Sequence, residues 1–236
     1  MYSADLADVY EQIYQSRGKD WGAEAVLVDE VVRRHRPAAR TLLDVACGTG
    51  AHLEALSRRF AHVEGLELAE PMRERARLRL PGVHIRAGDM RDFDLHTTFD
   101  AITCMFCSIA YVDTVEEMRA AIGCMARHLA PGGVLVVEPW WFPEQFIEGY
   151  VAGDLARGED LTIARISHST LDGRATRMEV RFLVADESGI REFVEIDRLT
   201  LFTREEYESA FRDAGCSIEF LPGPPTGRGL FVGIRQ

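Results

Sequence analysis

Apolar positions along the chain change period twice, and each change marks a change of architecture. Val9, Ile13 and Tyr14 recur at helical spacing within Asp8 to Gln15. After a break at Arg17-Gly18-Lys19-Asp20 the same period returns from Trp21 to Arg34, with Ala25, Val28, Val31 and Val32 on one side and Pro37 as the stop. Short apolar runs then alternate with helical stretches. Strands are expected over Thr41 to Val45, Val63 to Leu68, Val83 to Arg86, Phe99 to Phe106 and the VLVVE run ending at Glu138; helices are expected over Ala51 to Phe60, Pro71 to Leu80 and Val115 to Leu129. The run FDAITCMF is apolar nearly throughout, as befits a strand covered on both faces of a parallel sheet. This alternation predicts an α/β core.

From about Gly153 to Leu201 the period falls to two. Three antiparallel strands are expected over Leu161 to Thr170, Ala175 to Ala185 and Ile190 to Phe202, joined by turns at Leu171-Asp172-Gly173-Arg174 and Asp186-Glu187-Ser188-Gly189. In the middle strand Met178, Val180, Phe182 and Val184 share one face, and Arg177, Glu179 and Arg181 the other. Such a platform can roof a site, or pair with a second copy. Thr203 to Glu206 form a capping box, Gly215 closes the helix that follows, and Ser217 to Leu221 and Leu230 to Ile234 are the last strands, joined by the loop Pro222 to Gly229. We read one domain in four parts: a helical lid (1–38), a cofactor-binding core (39–139), the antiparallel insertion (140–202), and a last helix and hairpin (203–236).

The first strand runs into Gly48-Thr49-Gly50 and then a helix N-terminus, an arrangement that lets the backbone approach a ligand closely. Dinucleotide enzymes usually carry a third glycine three residues later, where this chain has Leu53. Asp44 stands inside the motif, and its charge would repel a pyrophosphate but suits the amine and sulfonium of S-adenosylmethionine. Glu67 lies 17 residues beyond Gly50, near the end of the second strand, where a carboxylate can accept both ribose hydroxyls. Asp89, just past the third strand, is placed to accept the adenine amino proton, and the Met90 amide can face a ring nitrogen. Met105, Phe106 and Ser108 emerge at the same rim, and Trp140 and Trp141 follow Glu138 in a way that suits a pocket for a ring-shaped ligand with a polar handle.

Length, 47% hydrophobic content and the lack of any long apolar run predict a globular cytoplasmic protein, with no membrane segment and a polar, acidic start unlike a signal peptide. A net charge of −11 argues against a nucleic-acid partner, so an anionic substrate must be met by local arginines. Lys19 is the single lysine among 27 basic residues. The five cysteines are odd in number, and Cys104 and Cys107 lack a second pair at zinc spacing; free thiols and no metal are expected.

The motif D-x-A-C-G-T-G, with Asp44, Ala46, Gly48 and Gly50, resembles the first motif of class I S-adenosylmethionine-dependent methyltransferases. Read with YEQIY, SRGKDW, GLEL, GDMRDF, VVEPWWFPE, ATRMEV and TGRGLFVG, nearly the whole chain is similar to the dTDP-3-amino-deoxyhexose N,N-dimethyltransferases of macrolide amino sugars such as desosamine and mycaminose. The resemblance implies a Rossmann-like parallel sheet with a terminal antiparallel hairpin, an N-terminal lid bringing Tyr14 and Arg17 to the cofactor carboxylate, and a homodimer. It implies that Glu67, Asp89, Met90 and Met105 line the cofactor site, with Trp140, Trp141, Met178 and Arg228 around the nucleotide sugar. Arg228, with Arg165 or Arg177, would then meet the pyrophosphate. An amine acceptor must lose a proton before it attacks, and Tyr14, Glu138 and His168 are the candidates to hold it neutral or relay that proton; spacing does not choose among them.

Overall fold

The computed structural model describes residues 3–223 and 225–236; Met1, Tyr2 and Pro224, the last within the loop before the final strand, lie outside the described residues. Helices α1 (Ala4–Ser16) and α2 (Trp21–His35) come first, each started by a side chain that caps a free amide: Ser3 accepts from the Leu6 N–H, Asp20 from the Ala23 N–H. The core follows as β1 (Thr41–Val45), α3 (Ala51–Ser57), β2 (His62–Glu67), α4 (Glu70–Arg79), β3 (His84–Ala87), β4 (Phe99–Cys104), α5 (Val115–Arg127) and β5 (Leu129–Val137). After β6 (Tyr150–Arg157), β7 (Thr162–Asp172), β8 (Ala175–Asp186) and β9 (Gly189–Thr200), the chain returns through α6 (Arg204–Asp213), β10 (Cys216–Leu221) and β11 (Leu230–Arg235).

Seven strands form one sheet in the order β10-β11-β5-β4-β1-β2-β3, parallel except that β11 runs antiparallel to both its neighbours. Its middle strands are covered on both faces, which explains their unbroken apolar runs. Leu42 belongs to the core cluster that holds Val28, Val32 and Leu53 on one face, and Leu43 to the cluster that holds Ile122, Met125 and Phe231 on the other. At β2 a glycine is obligatory: a Cβ on Gly65 would stand 2.8 Å from Cys47 Sγ and 2.9 Å from Leu53 Cδ2, so only glycine lets the ligand turn lie this close to β2.

The insertion is a sheet of four strands, β6-β7-β8-β9, not the three expected; β6 pairs along the outside of β7 over its whole length. YVAGDLAR alternates weakly and carries a glycine and an aspartate, so its strand character comes from the partner rather than from its own pattern. Leu6, Val9 and Ile13 of α1 pack on Ile163, Val180, Phe182 and Val184. These contacts decide which face of the small sheet points inward, and they leave the other end of that face open.

Candidate active site

Two neighbouring regions carry the chemistry. In the first, β1 ends at a turn whose left-handed residues are Ala46, Gly48 and Gly50, with φ of 57°, 57° and 79°. Nothing lies within 4 Å of where a Cβ on Gly48 would sit, so the turn offers open room beside its backbone. Thr49 Oγ1 is buried and has no partner among the described residues. Beneath the turn Asp44 is 2% exposed and accepts from Thr103 Oγ1 at 2.7 Å; burial pushes its carboxyl up to about 6. Glu67 accepts from the Gly48 N–H at 2.9 Å and the Ala69 N–H at 2.8 Å, and burial raises its carboxyl too. One bond per oxygen leaves Glu67 with lone pairs for two further donors, as a ribose diol provides. Two buried carboxylates, an orphaned hydroxyl and an open glycine turn fit a ligand that is cationic at one end and rich in hydroxyls at the other.

The second region is a cavity of about 810 Å³ between the lid, the carboxyl rim of the large sheet and the inner face of the small one. Its floor is β7 to β9, bearing Arg165, Ser167, Ser169, Thr176, Met178 and Asp197. One wall is aromatic: Trp140, anchored by its indole N–H to Thr176 Oγ1 at 3.1 Å, stands with Trp141 and Phe106 around the Arg228 guanidinium, whose carbon is 5.2, 5.5 and 5.9 Å from the three ring centres. Arg228 is held by Glu138 at 2.8 Å, yet its Nε is buried with no partner among the described residues. Glu138 itself is fully buried and also accepts from the Phe106 N–H and Thr226 Oγ1. The lid contributes Tyr14, Arg17 and Lys19; Lys19 lies 3.8 Å over the Phe106 ring and binds Glu24, which in turn meets His52 at 2.6 Å. The chain Lys19–Glu24–His52 therefore ties the cavity to the helix that follows the glycine turn.

Comparison with known proteins shows the family to which the chain belongs. A family model described as a methyltransferase domain matches residues 42–133, the stretch holding the turn, Glu67 and Asp89. The dTDP-4-amino-2,3,4,6-tetradeoxy-D-glucose N,N-dimethyltransferase of Saccharopolyspora spinosa is 55% identical over 236 residues, covering 100% of this chain and 95% of that protein. The chain belongs to the dTDP-amino-sugar N,N-dimethyltransferases. A second relative, the dTDP-3-amino-3,4,6-trideoxy-alpha-D-glucopyranose N,N-dimethyltransferase of Streptomyces venezuelae, is 52% identical over 99% of both chains. The S-adenosylmethionine-bound structure of CalS10, an amino pentose methyltransferase from Micromonospora echinaspora, superposes with a TM-score of 0.91 at 60% identity over 97% of each chain. The enzyme is thus an S-adenosylmethionine-dependent N-methyltransferase, and S-adenosylmethionine is the ligand that the glycine turn fits.

Within this dimethyltransferase the residues singled out from the sequence divide into four groups. Asp44, Ala46, Gly48, Gly50 and Glu67 gather at the turn; Tyr14, Arg17, Trp140, Trp141, Arg165, Met178 and Arg228 line the cavity. Asp89 and Met90 follow β3, where Arg91 holds the Asp89 carboxylate below its usual range through a hydrogen bond and Met90 packs toward the core. Met105 is buried in the core, and Ser108 donates to the Met105 carbonyl at 2.9 Å; neither lines the cavity.

Three expectations are corrected. His168 alternates with Ser167 and Ser169, so its side chain is exposed on the outer face of the small sheet, away from the cavity. Arg177 lies on that outer face for the same reason, paired with Glu179. Glu138 is no free base, being consumed by Arg228, Thr226 and a backbone amide. Burial and the charge of Asp197 push the Tyr14 phenol up to about 12, so it remains protonated at neutral pH. Sequence reasoning passed over Asp197, Tyr111, Thr226 and Glu24. An acid at an inward position of β9, with Phe193 and Leu199 facing the same way, is the signal that points to Asp197.

Proposed function

We propose that this enzyme twice methylates the amino group of a dTDP-linked amino-deoxyhexose, the 3-amino regiochemistry of desosamine- or mycaminose-type macrolide sugars being the leading reading. The observation that carries it is the buried Arg228 Nε, without a partner among the described residues and set among Trp140, Trp141 and Phe106 in the cavity wall. A charge-assisted donor among flat rings suits the phosphates and base of a nucleotide, while the hydroxyls and carboxylate of the floor suit an amino sugar. The local cation also answers how a chain of net charge −11 holds a nucleotide anion. S-adenosylmethionine, when bound, supplies the methyl group. Around it the lid, the floor and the aromatic wall hold the amine in line and keep water out, and positioning of this kind is worth about 7–11 kcal/mol.

A second reading, methylation of a 4-amino sugar, is favoured by the name of the Saccharopolyspora relative. Incubation with S-adenosylmethionine and each regioisomeric amino sugar nucleotide, followed by mass spectrometry, is expected to add one and then two methylene masses to the 3-amino substrate. Faster turnover of the 4-amino isomer transfers the assignment to the second reading, and no mass gain on either ends both. Cofactor and substrate are both products of intracellular metabolism, which supports a cytoplasmic location. The outer face of the small sheet exposes Val151, Leu155, Ile166, Leu183, Val194 and Ile196, and this apolar patch supports a homodimer built by pairing that face with its copy.

A further inference from the structure

Two carboxylates line the cavity, and they differ in what holds them. Glu24 is neutralised by Lys19 at 2.7 Å and bonded to His52. Asp197 is 9% exposed and accepts from the Tyr111 hydroxyl at 2.9 Å, with no ion pair to any described residue. Register places Asp197 opposite Met178 of β8, and Met178 opposite Ser169 of β7, so the three form one row across the cavity floor. Arg165, on the same face, spends its guanidinium on Ser167, Asp154 and the Met178 sulfur. The Arg165 charge acts on Asp197 only from a distance, without an ion pair, and a buried carboxylate not directly paired is costly; the substrate class proposed above brings a cation, since an alkylamine is an ammonium ion at neutral pH.

Resting on that reading of the substrate, we propose that Asp197, held in place by Tyr111, receives the acceptor ammonium and takes one of its protons before each methyl transfer. In the first half of a cycle an N–H bond of R–NH3+ breaks and an O–H bond forms on Asp197, leaving R–NH2 with a free electron pair. That pair forms the N–C bond as the C–S bond of the sulfonium donor breaks, its electrons going to sulfur. The product R–NH2CH3+ carries the positive charge. Asp197 gives its proton to cavity water, and the same exchange with the secondary ammonium opens the second cycle. Asp197 touches the reacting amine and is the catalytic residue; Tyr111 acts through it as a positioning residue.

Among the described residues the charged and titratable groups facing Asp197 are Tyr111 from the turn after β4, Tyr14 from α1, Arg165 from β7 and Glu195 from its own strand. Burial raises its carboxyl and the Tyr111 bond pulls it down, and a raised carboxyl is a better base than an exposed aspartate.

The test uses the full chain with a dTDP-amino sugar, its hydroxyl counterpart and dTDP alone. Wild type is expected to bind the amino compound at least about 10-fold more tightly than the hydroxyl one. Asp197→Asn keeps an acceptor for Tyr111; it is expected to lose that preference, to bind dTDP and S-adenosylmethionine as wild type does, and to lose about 100- to 10,000-fold in kcat. Tyr111→Phe retains the carboxylate but not the bond that holds it down, so the acid limb of kcat/KM should move to higher pH. An Asp197→Asn enzyme with kcat within about 3-fold of wild type and an intact amine preference overturns the assignment. An unmoved acid limb in Tyr111→Phe overturns the part given to Tyr111. Wild type that methylates no amino sugar nucleotide refutes the substrate reading instead, so the two failures are distinguishable.

Discussion

Replacing Arg228 with methionine tests the aromatic wall most directly. Glu138 is fully buried, and in Arg228→Met it keeps, among the described residues, the Phe106 amide and Thr226 hydroxyl as donors but loses the cation paired with it. Breaking a buried pair from one side costs about 3–5 kcal/mol, which for a chain of this size lowers Tm by roughly 6–20 °C. The guanidinium also loses its place among Trp140, Trp141 and Phe106, while the methionine stem retains most of the packing. Changing Glu138 to Gln in the same molecule removes the stranded charge, so the double variant should recover most of the lost stability. It should not recover binding of dTDP, because the donor for phosphate is gone in both. Urea denaturation with calorimetric titration of dTDP separates the two effects. Arg228→Met within about 1 kcal/mol of wild type, or a double variant no more stable than the single one, would refute the account of this pair. Wild-type dTDP affinity in either variant would refute the role given to Arg228.

Asp44 links stability to pH. With its carboxyl at about 6, the folded protein holds that proton more tightly than the unfolded chain does, so the unliganded enzyme should lose about 3 kcal/mol as pH rises from about 4 to about 6. Asp44→Asn should therefore be more stable than wild type at pH 8 but not at pH 4, and should bind S-adenosylmethionine more weakly; paired denaturation and titration experiments check both. Gly65→Ala forces a Cβ against Cys47 and Leu53 and should cost about 1–3 kcal/mol while displacing the glycine turn, read as a lower Tm and weaker cofactor binding. Leu183→Glu places a charge in the exposed patch of the small sheet; sedimentation should show a wild-type dimer and a monomeric variant, and an unchanged assembly would remove that face from the interface. His168→Ala should keep kcat/KM within about 3-fold, since the side chain points away from the cavity, and a larger loss would contradict its placement.

Local patterns carried the sequence reading as far as neighbouring residues set the outcome. The lid helices, the parallel strands, the glycine turn with Asp44, and the paired tryptophans after Glu138 are all written in spacings of a few residues, where periodicity and backbone preference act directly. The strand β6 was invisible because its weak alternation becomes a strand only alongside β7. Alternation along β7 separates His168 from Arg165 and Ser167, yet the packing of α1 decides which of those faces looks inward. The rest of the site depends on meetings across long stretches of chain: Tyr111 with Asp197, separated by 86 positions, and Glu138 with Arg228, separated by 90. Whether a charged side chain is a solvated ornament or a buried, reactive group depends on what the fold packs against it. That was decided in the tertiary structure, because burial and pairing are properties of the assembled surfaces and not of the residues beside it in the chain.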